Sequence, residues 1–228
     1  MVNSDHCPDV KQLCRLLGDL GHEVATPLAS VLLTSEMLAD NTQGNLSDRQ
    51  VRSLHNLIQA TSEVQRLMKR VVFLTRLATG EVEFEQQAFP LEALFEELAA
   101  THPELELEFS APLPASALGD RLRLRELLEL MIEFAQHRGG KAKLEVAAWP
   151  SGQLSVALQT PGPIPPEQRE QALDPFGAGL KEARLGGGPG LELAVANKLA
   201  EGLGGRLELA DGPDGSVVLT ATLPAAAV

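Results

Sequence analysis

The chain has 228 residues, 44% of them hydrophobic but only 4% aromatic, so its core must be filled by Leu, Val and Ala. Its formal net charge is −12, from 31 acidic and 19 basic side chains, and such a surface repels nucleic acid and anionic lipid. No apolar run reaches the length of a membrane span and Met1–Asp9 is not a signal peptide, which predicts a cytoplasmic protein with no membrane-spanning segment.

In chain order, the first element is an amphipathic helix over residues 9–43. Val10, Leu13, Leu16, Leu17, Leu20, Val24, Leu28, Val31, Leu32 and Leu38 recur at steps of three and four. Pro27 lies inside it and is expected to kink it, because the ring displaces the carbonyl one turn back. Asn41–Ser47 reads as a turn. Ser47 and Gln50 form a capping box for a second helix running to about Ala78, whose pattern is close to a heptad repeat. A lone hairpin leaves apolar surface wet, and pairing two hairpins into a four-helix bundle buries it, so a homodimer is expected.

After Gly80 the pattern changes. Residues 1–80 hold eight basic and eight acidic side chains, whereas residues 81–228 hold eleven and twenty-three, so the second part carries the whole net charge. The expected elements are a short strand Glu81–Glu85, a helix Pro90–Ala100, and a strand Glu104–Phe109 with one wet face. A helix Leu118–His137 follows, then a strand pair, Lys141–Ala148 and Gln153–Thr160. Next come a short helix Pro166–Leu173, a mobile Gly-rich loop Phe176–Pro189, and a helix Gly190–Leu203 ended by Gly204-Gly205. A hairpin of Arg206–Ala210 and Ser216–Leu223 closes the chain. This mixture predicts helices on one face of a mostly antiparallel sheet, an α+β sandwich. Cys7 and Cys14 have no metal-ligand companions and read as free thiols. No His/Cys/Asp set has metal-binding spacing, so no metal site is expected.

The chemistry-bearing stretch is Leu20-Gly-His-Glu-Val-Ala-Thr-Pro-Leu28. It sets the imidazole of His22 beside the carboxylate of Glu23, one turn before Thr26-Pro27. A mostly neutral imidazole is a nucleophile near pH 7, and a neighbouring carboxylate can orient it and take its proton. His22-Glu-Val-Ala-Thr-Pro-Leu28, with the order of elements that follows it, resembles the core of a bacterial two-component histidine kinase. The resemblance covers nearly all of residues 10–224. It implies an α-helical hairpin forming a dimeric four-helix bundle (residues 1–80, dimerisation and histidine phosphotransfer), followed by an α+β sandwich of the histidine-kinase ATPase type (residues 81–228). It further implies that His22 is the phosphoacceptor, Glu23 the base that assists it, and Thr26 a residue that positions water to dephosphorylate a partner.

The nucleotide motifs of that family are matched less well. On the helix Arg125–Ala135, Leu130 and Phe134 stand where the family has two asparagines that meet magnesium and phosphate, and neither can ligate a hard cation. Glu129 and Glu133 lie one residue away, about 100° around the helix. Gln159 replaces the aspartate that receives the adenine amino group, and Pro161 and Pro163 replace glycines. Asp174-Pro-Phe176 keeps a short aromatic motif. Gly186-Gly-Gly-Pro-Gly-Leu-Glu-Leu193 resembles the last glycine motif, with Pro189 and Glu192 as departures, so Gly186, Gly188 and Gly190 join Gln159 as the positions of a degenerate nucleotide site. Lys181 and Arg184, in the Gly-rich loop, are most simply solvated.

The expected function is therefore a phosphorelay protein in which His22 exchanges a phosphoryl group with a response-regulator receiver domain, with no cofactor required. One alternative is an active, sensor-less histidine kinase that labels His22 from ATP and Mg. Another is a non-enzymatic dimeric adaptor that binds a kinase or receiver. The short stretch before the first helix predicts that input comes from a separate protein or from a covalent partner outside this chain.

Overall fold

The computed structural model describes residues 10–40, 44, 46–110, 112–139, 142–149, 152–173, 191–224 and 226–227. The chain divides into two compact units, Met1–Glu81 and Val82–Val228.

The first unit is a hairpin of α1 (Val10–Ala39) and α2 (Asp48–Ala78). Gln50 Oε1 accepts from the Ser47 backbone N–H at 2.9 Å and from its hydroxyl at 2.7 Å, which holds the first turn of α2. α1 runs without interruption through Pro27. The helices approach closely where a Cβ added to Gly21 would lie 2.1 Å from Val72 Cγ2, and one added to Gly18 would lie 3.8 Å from Thr75 Oγ1. Position 18 facing 75 and position 21 facing 72 makes the two helices antiparallel. Among the described residues, no helix is long and apolar enough to cross a membrane.

The second unit contains β1 (Gln87–Pro90), α3 (Leu91–Thr101), β2 (Glu106–Phe109), β3 (Ser116–Gly119), α4 (Arg121–His137), β4 (Lys143–Trp149) and β5 (Gln153–Thr160). It continues with α5 (Pro166–Leu173), α6 (Glu192–Gly202), β6 (Arg206–Asp211), β7 (Val217–Pro224) and β8 (Ala226–Ala227). The main sheet has the order β2-β4-β5-β7-β6. Its pairs are antiparallel except β2 with β4, which run parallel. Alternate residues bury one face: Leu154, Val156 and Leu158 on β5, and Val217, Leu219, Ala221 and Leu223 on β7. Onto that face pack α4, through Leu127, Leu128, Met131 and Ile132, and α6, through Ala194, Val195 and Leu199. Each large side chain removed from water here stabilises the unit by about 1.5–3 kcal/mol. The result is a helical hairpin followed by an α/β sandwich with a mixed sheet.

Two local expectations are corrected. Glu81–Glu85 is not a strand: the Glu85 N–H donates to Asp120 Oδ2 at 2.9 Å, so that backbone group is used outside any ladder. The strand is instead β1, antiparallel to β3, which pairs with β8 in a second, three-stranded sheet. The helix expected from Leu118 begins at Arg121, because Asp120 is its N-cap and accepts from the Arg123 N–H at 3.0 Å. Leu118 and Gly119 belong to β3.

Candidate functional site

His22 lies in the middle of α1 with its side chain exposed, as are those of Glu23 and Thr26. Residues four apart share a helix face, so Thr26 stands one turn from His22 on the same side. Glu23 is the adjacent residue, about 100° around the axis. Among the described residues, the His22 and Glu23 side chains make no hydrogen bond, to each other or elsewhere. Pro27 has no N–H, so the Glu23 carbonyl lacks its intrahelical donor. The exposed imidazole is open to an incoming group.

His22 also borders the seam between the helices. Two grooves meet it, and both are lined by Val72 and Arg76 of α2. The close approach at Gly21 brings α2 within reach of the histidine, since any larger residue would strike Val72. Arg76, Lys69 and Gln65 had no role in the reading of the sequence. Their spacing along one face of α2 is the signal that identifies them, once that face is known to meet α1.

His55, on α2, bonds through Nδ1 to the Val51 carbonyl at 2.9 Å and is satisfied within its own helix. No group of three or more His, Cys, Asp or Glu side chains is arranged to hold a metal among the described residues.

In the second unit the positions singled out for nucleotide chemistry are committed to the protein itself. Phe134 is buried in α4 and offers no oxygen to a metal. Glu129 is held by Arg125 at 2.9 Å, and Arg125 also reaches Glu97 of α3 at 3.6 Å. Gln159 Nε2 donates to Ser216 Oγ at 3.0 Å. Arg138 stacks over the Phe134 ring at 5.7 Å and donates to the carbonyls of Pro161 and Gly162, each at 2.8 Å. Burial lowers the pKa of that guanidinium. Glu192, the first residue of α6, is buried, with its Oε1 3.5 Å from His137 Nδ1. Leu191 before it has φ +93°, a conformation that non-glycine residues rarely adopt.

The first turn of α6, where this fold would receive phosphate, already carries the buried side chain of Glu192. The described residues do not fit a magnesium–triphosphate group: Leu130 and Phe134 of α4 offer no oxygen to a metal, Glu129 is held by Arg125, and the Glu192 side chain fills the first turn of α6. Gly186, Gly188, Gly190, Lys181, Arg184 and Asp174–Phe176 lie outside the described residues.

Comparison with known proteins identifies both units. Residues 12–80 match the His Kinase A (phospho-acceptor) domain, and residues 119–227 match the histidine kinase-, DNA gyrase B- and HSP90-like ATPase domain. The chain is a two-component histidine kinase core by family. Its curated relatives include the sensor protein kinase CarS of Pseudomonas aeruginosa, 30% identical over 94% of this chain and 47% of CarS. They also include the sensor histidine kinase GlrK of Escherichia coli, 28% identical over 92% of this chain and 46% of GlrK. The chain thus spans about half the length of these relatives. The crystal structure of full-length ShkA in complex with AMPPNP superposes with a TM-score of 0.73 at 24% identity, over 94% of this chain and 46% of that one, which establishes the shared fold. Membership of the ATPase family implies ATP, usually with Mg; the residues of this core depart from that expectation at the positions above.

Proposed function

We propose that this histidine kinase core works as a phosphorelay component, in which His22 accepts a phosphoryl group from a receiver-domain aspartyl phosphate and returns it to a receiver. The observation that carries the reading is a contrast. The His22 side chain is exposed and unencumbered, while Phe134, Gln159, Arg138 and Glu192 are occupied with other protein groups.

In the transfer, one neutral ring nitrogen of His22 attacks phosphorus. The P–N bond forms as the acyl-phosphate P–O bond breaks, and the electron pair leaves with the receiver's carboxylate. The proton on the other ring nitrogen passes to Glu23, which neutralises the imidazolium. The receiver brings its own acidic pocket and magnesium. Thr26, on the His22 face, positions water when a receiver is dephosphorylated instead.

Incubation of the full chain with a radiolabelled, phosphorylated receiver, and separately with radiolabelled ATP and magnesium, tests this. We expect acid-labile label on His22 from the receiver and none from ATP. Label from ATP that disappears in His22→Ala would sink the proposal in favour of an autophosphorylating kinase.

The hairpin is proposed to pair with a second copy in a four-helix bundle. Supporting this, Leu20, Val31, Leu33, Met37 and Leu38 of α1 and Leu57 and Val64 of α2 are exposed, Met37 by 72% and Leu33 by 60%. Light scattering in solution should give twice the chain mass of 24.3 kDa; a monomer at micromolar concentration would contradict it.

A further inference from the structure

The two grooves that flank His22 differ in charge. One, of about 240 Å³, adds the carboxylates of Asp19 and Glu81 to the shared Arg76. The other, of about 390 Å³, adds Lys69 and Gln65 and contains no carboxylate. Gln65, Lys69, Val72 and Arg76 follow steps of four, three and four, so they form one face of α2. Val72 on that face is pinned against Gly21, the residue before His22.

The neighbouring hydroxyls are no substitute as donors. Thr75 Oγ1 donates to the Val72 carbonyl at 2.7 Å, and Thr79 Oγ1 donates to the Thr75 carbonyl at 3.0 Å. Their protons are already used. Among the described residues the Lys69 and Arg76 side chains are exposed and form no ion pair or hydrogen bond. A phosphoryl group on His22 carries close to two negative charges near neutral pH. Asp19 and Glu81 repel it, whereas an arginine fork, a lysine and an amide donor suit its three oxygens.

We propose that Gln65, Lys69 and Arg76 form the seat for the phosphoryl group on His22, turning it toward α2 and away from Asp19 and Glu81. This rests on His22 being the phosphoacceptor. Arg76 and Lys69 are positioning residues: they set the orientation and ionisation of the group that the receiver must meet.

The test labels the full chain with phosphoramidate, a small phosphodonor that needs no receiver. The phosphoryl group is then titrated by phosphorus NMR, with the His22 signal assigned by its loss in His22→Ala. A nearby cation favours the dianion and lowers the midpoint. Removing both cations, as Lys69→Ala with Arg76→Ala, should raise the midpoint by about one unit, with Arg76→Lys alone in between. Asp19→Asn and Glu81→Gln should leave it in place. Both cations are exposed on a helix, and alanine favours helix, so the variants keep the fold; circular dichroism checks this.

An unchanged midpoint in the double variant overturns the seat. So does a midpoint that falls in Asp19→Asn or Glu81→Gln, which would put the phosphoryl group in the acidic groove. Failure of phosphoramidate to label His22 also counts against it, because a cationic seat attracts that anionic donor. Failure of the phosphorelay reading looks different: a phosphorylated receiver gives no label, while the titration still responds to Lys69 and Arg76.

Discussion

His22→Ala should reduce phosphoryl uptake from a phosphorylated receiver to background, a loss of at least about a thousandfold, or on the order of 4 kcal/mol in the barrier. The substitution removes the nucleophile, and neither neighbour can replace it. The Thr26 hydroxyl has a far higher pKa than imidazole, and phosphorylation of the Glu23 carboxylate would give an acyl phosphate with no gain in stability over the donor. The fold should survive, because His22 is exposed in mid-helix and alanine is the better helix former there. Unchanged helical content and unchanged receiver binding, with label absent, would locate the loss in chemistry. Unchanged signalling in cells carrying His22→Ala would instead favour a non-enzymatic adaptor.

The largest expected effect on stability is at Phe95. This side chain of α3 is 1% exposed and meets Phe109 of β2 edge-to-face, with ring centroids 5.7 Å apart at 81°. Phe95→Ala should cost about 3–5 kcal/mol, a large share of the roughly 5–15 kcal/mol that holds a domain together. The transition of the second unit should fall by roughly 10 °C in calorimetry. Because the hairpin is a separate compact unit, His22 should still take label from phosphoramidate at temperatures where the second unit has melted. Loss of labelling in step with that transition would show that the two units fold as one.

Sequence reading succeeded where the signal is local and long. The three-four spacing of α1 and α2 persists for many turns, and the Ser47–Gln50 box marks a helix start. The strand pair β4–β5 and the hairpin β6–β7 were likewise visible as alternation around turns. It failed where elements are short and partners distant. β1 has four residues and ends in Pro90, and β3 runs directly into α4. Only their antiparallel pairing, from Gln87 with Gly119 to Pro90 with Ser116, and that of β3 with β8, makes them strands. Alternation in Glu104–Phe109 located β2, but it cannot tell that β2 runs parallel to β4.

The site divides the same way. His22, Glu23 and Thr26 lie within five residues of one helix and are readable from the sequence as a motif. Gln65, Lys69 and Arg76 gain meaning only through the contact of Val72 with Gly21, some fifty residues away along the chain. Glu192 was visible as a departure from pattern, but its burial beside His137 was not.

The Arg138 contacts carry a consequence for the turn after β5. They end on carbonyl oxygens at Pro161 and Gly162, groups that every residue type keeps, proline included. A turn built to hold an anion points amide protons outward. With prolines at 161 and 163 this turn has lost two of those protons and presents lone pairs, and a guanidinium has settled on them. The turn offers lone pairs to a cation, and Arg138 of the same chain supplies that cation. Restoring glycine at 161 and 163 would return the amides but leave Arg138 in place, so reversal requires the arginine to go as well.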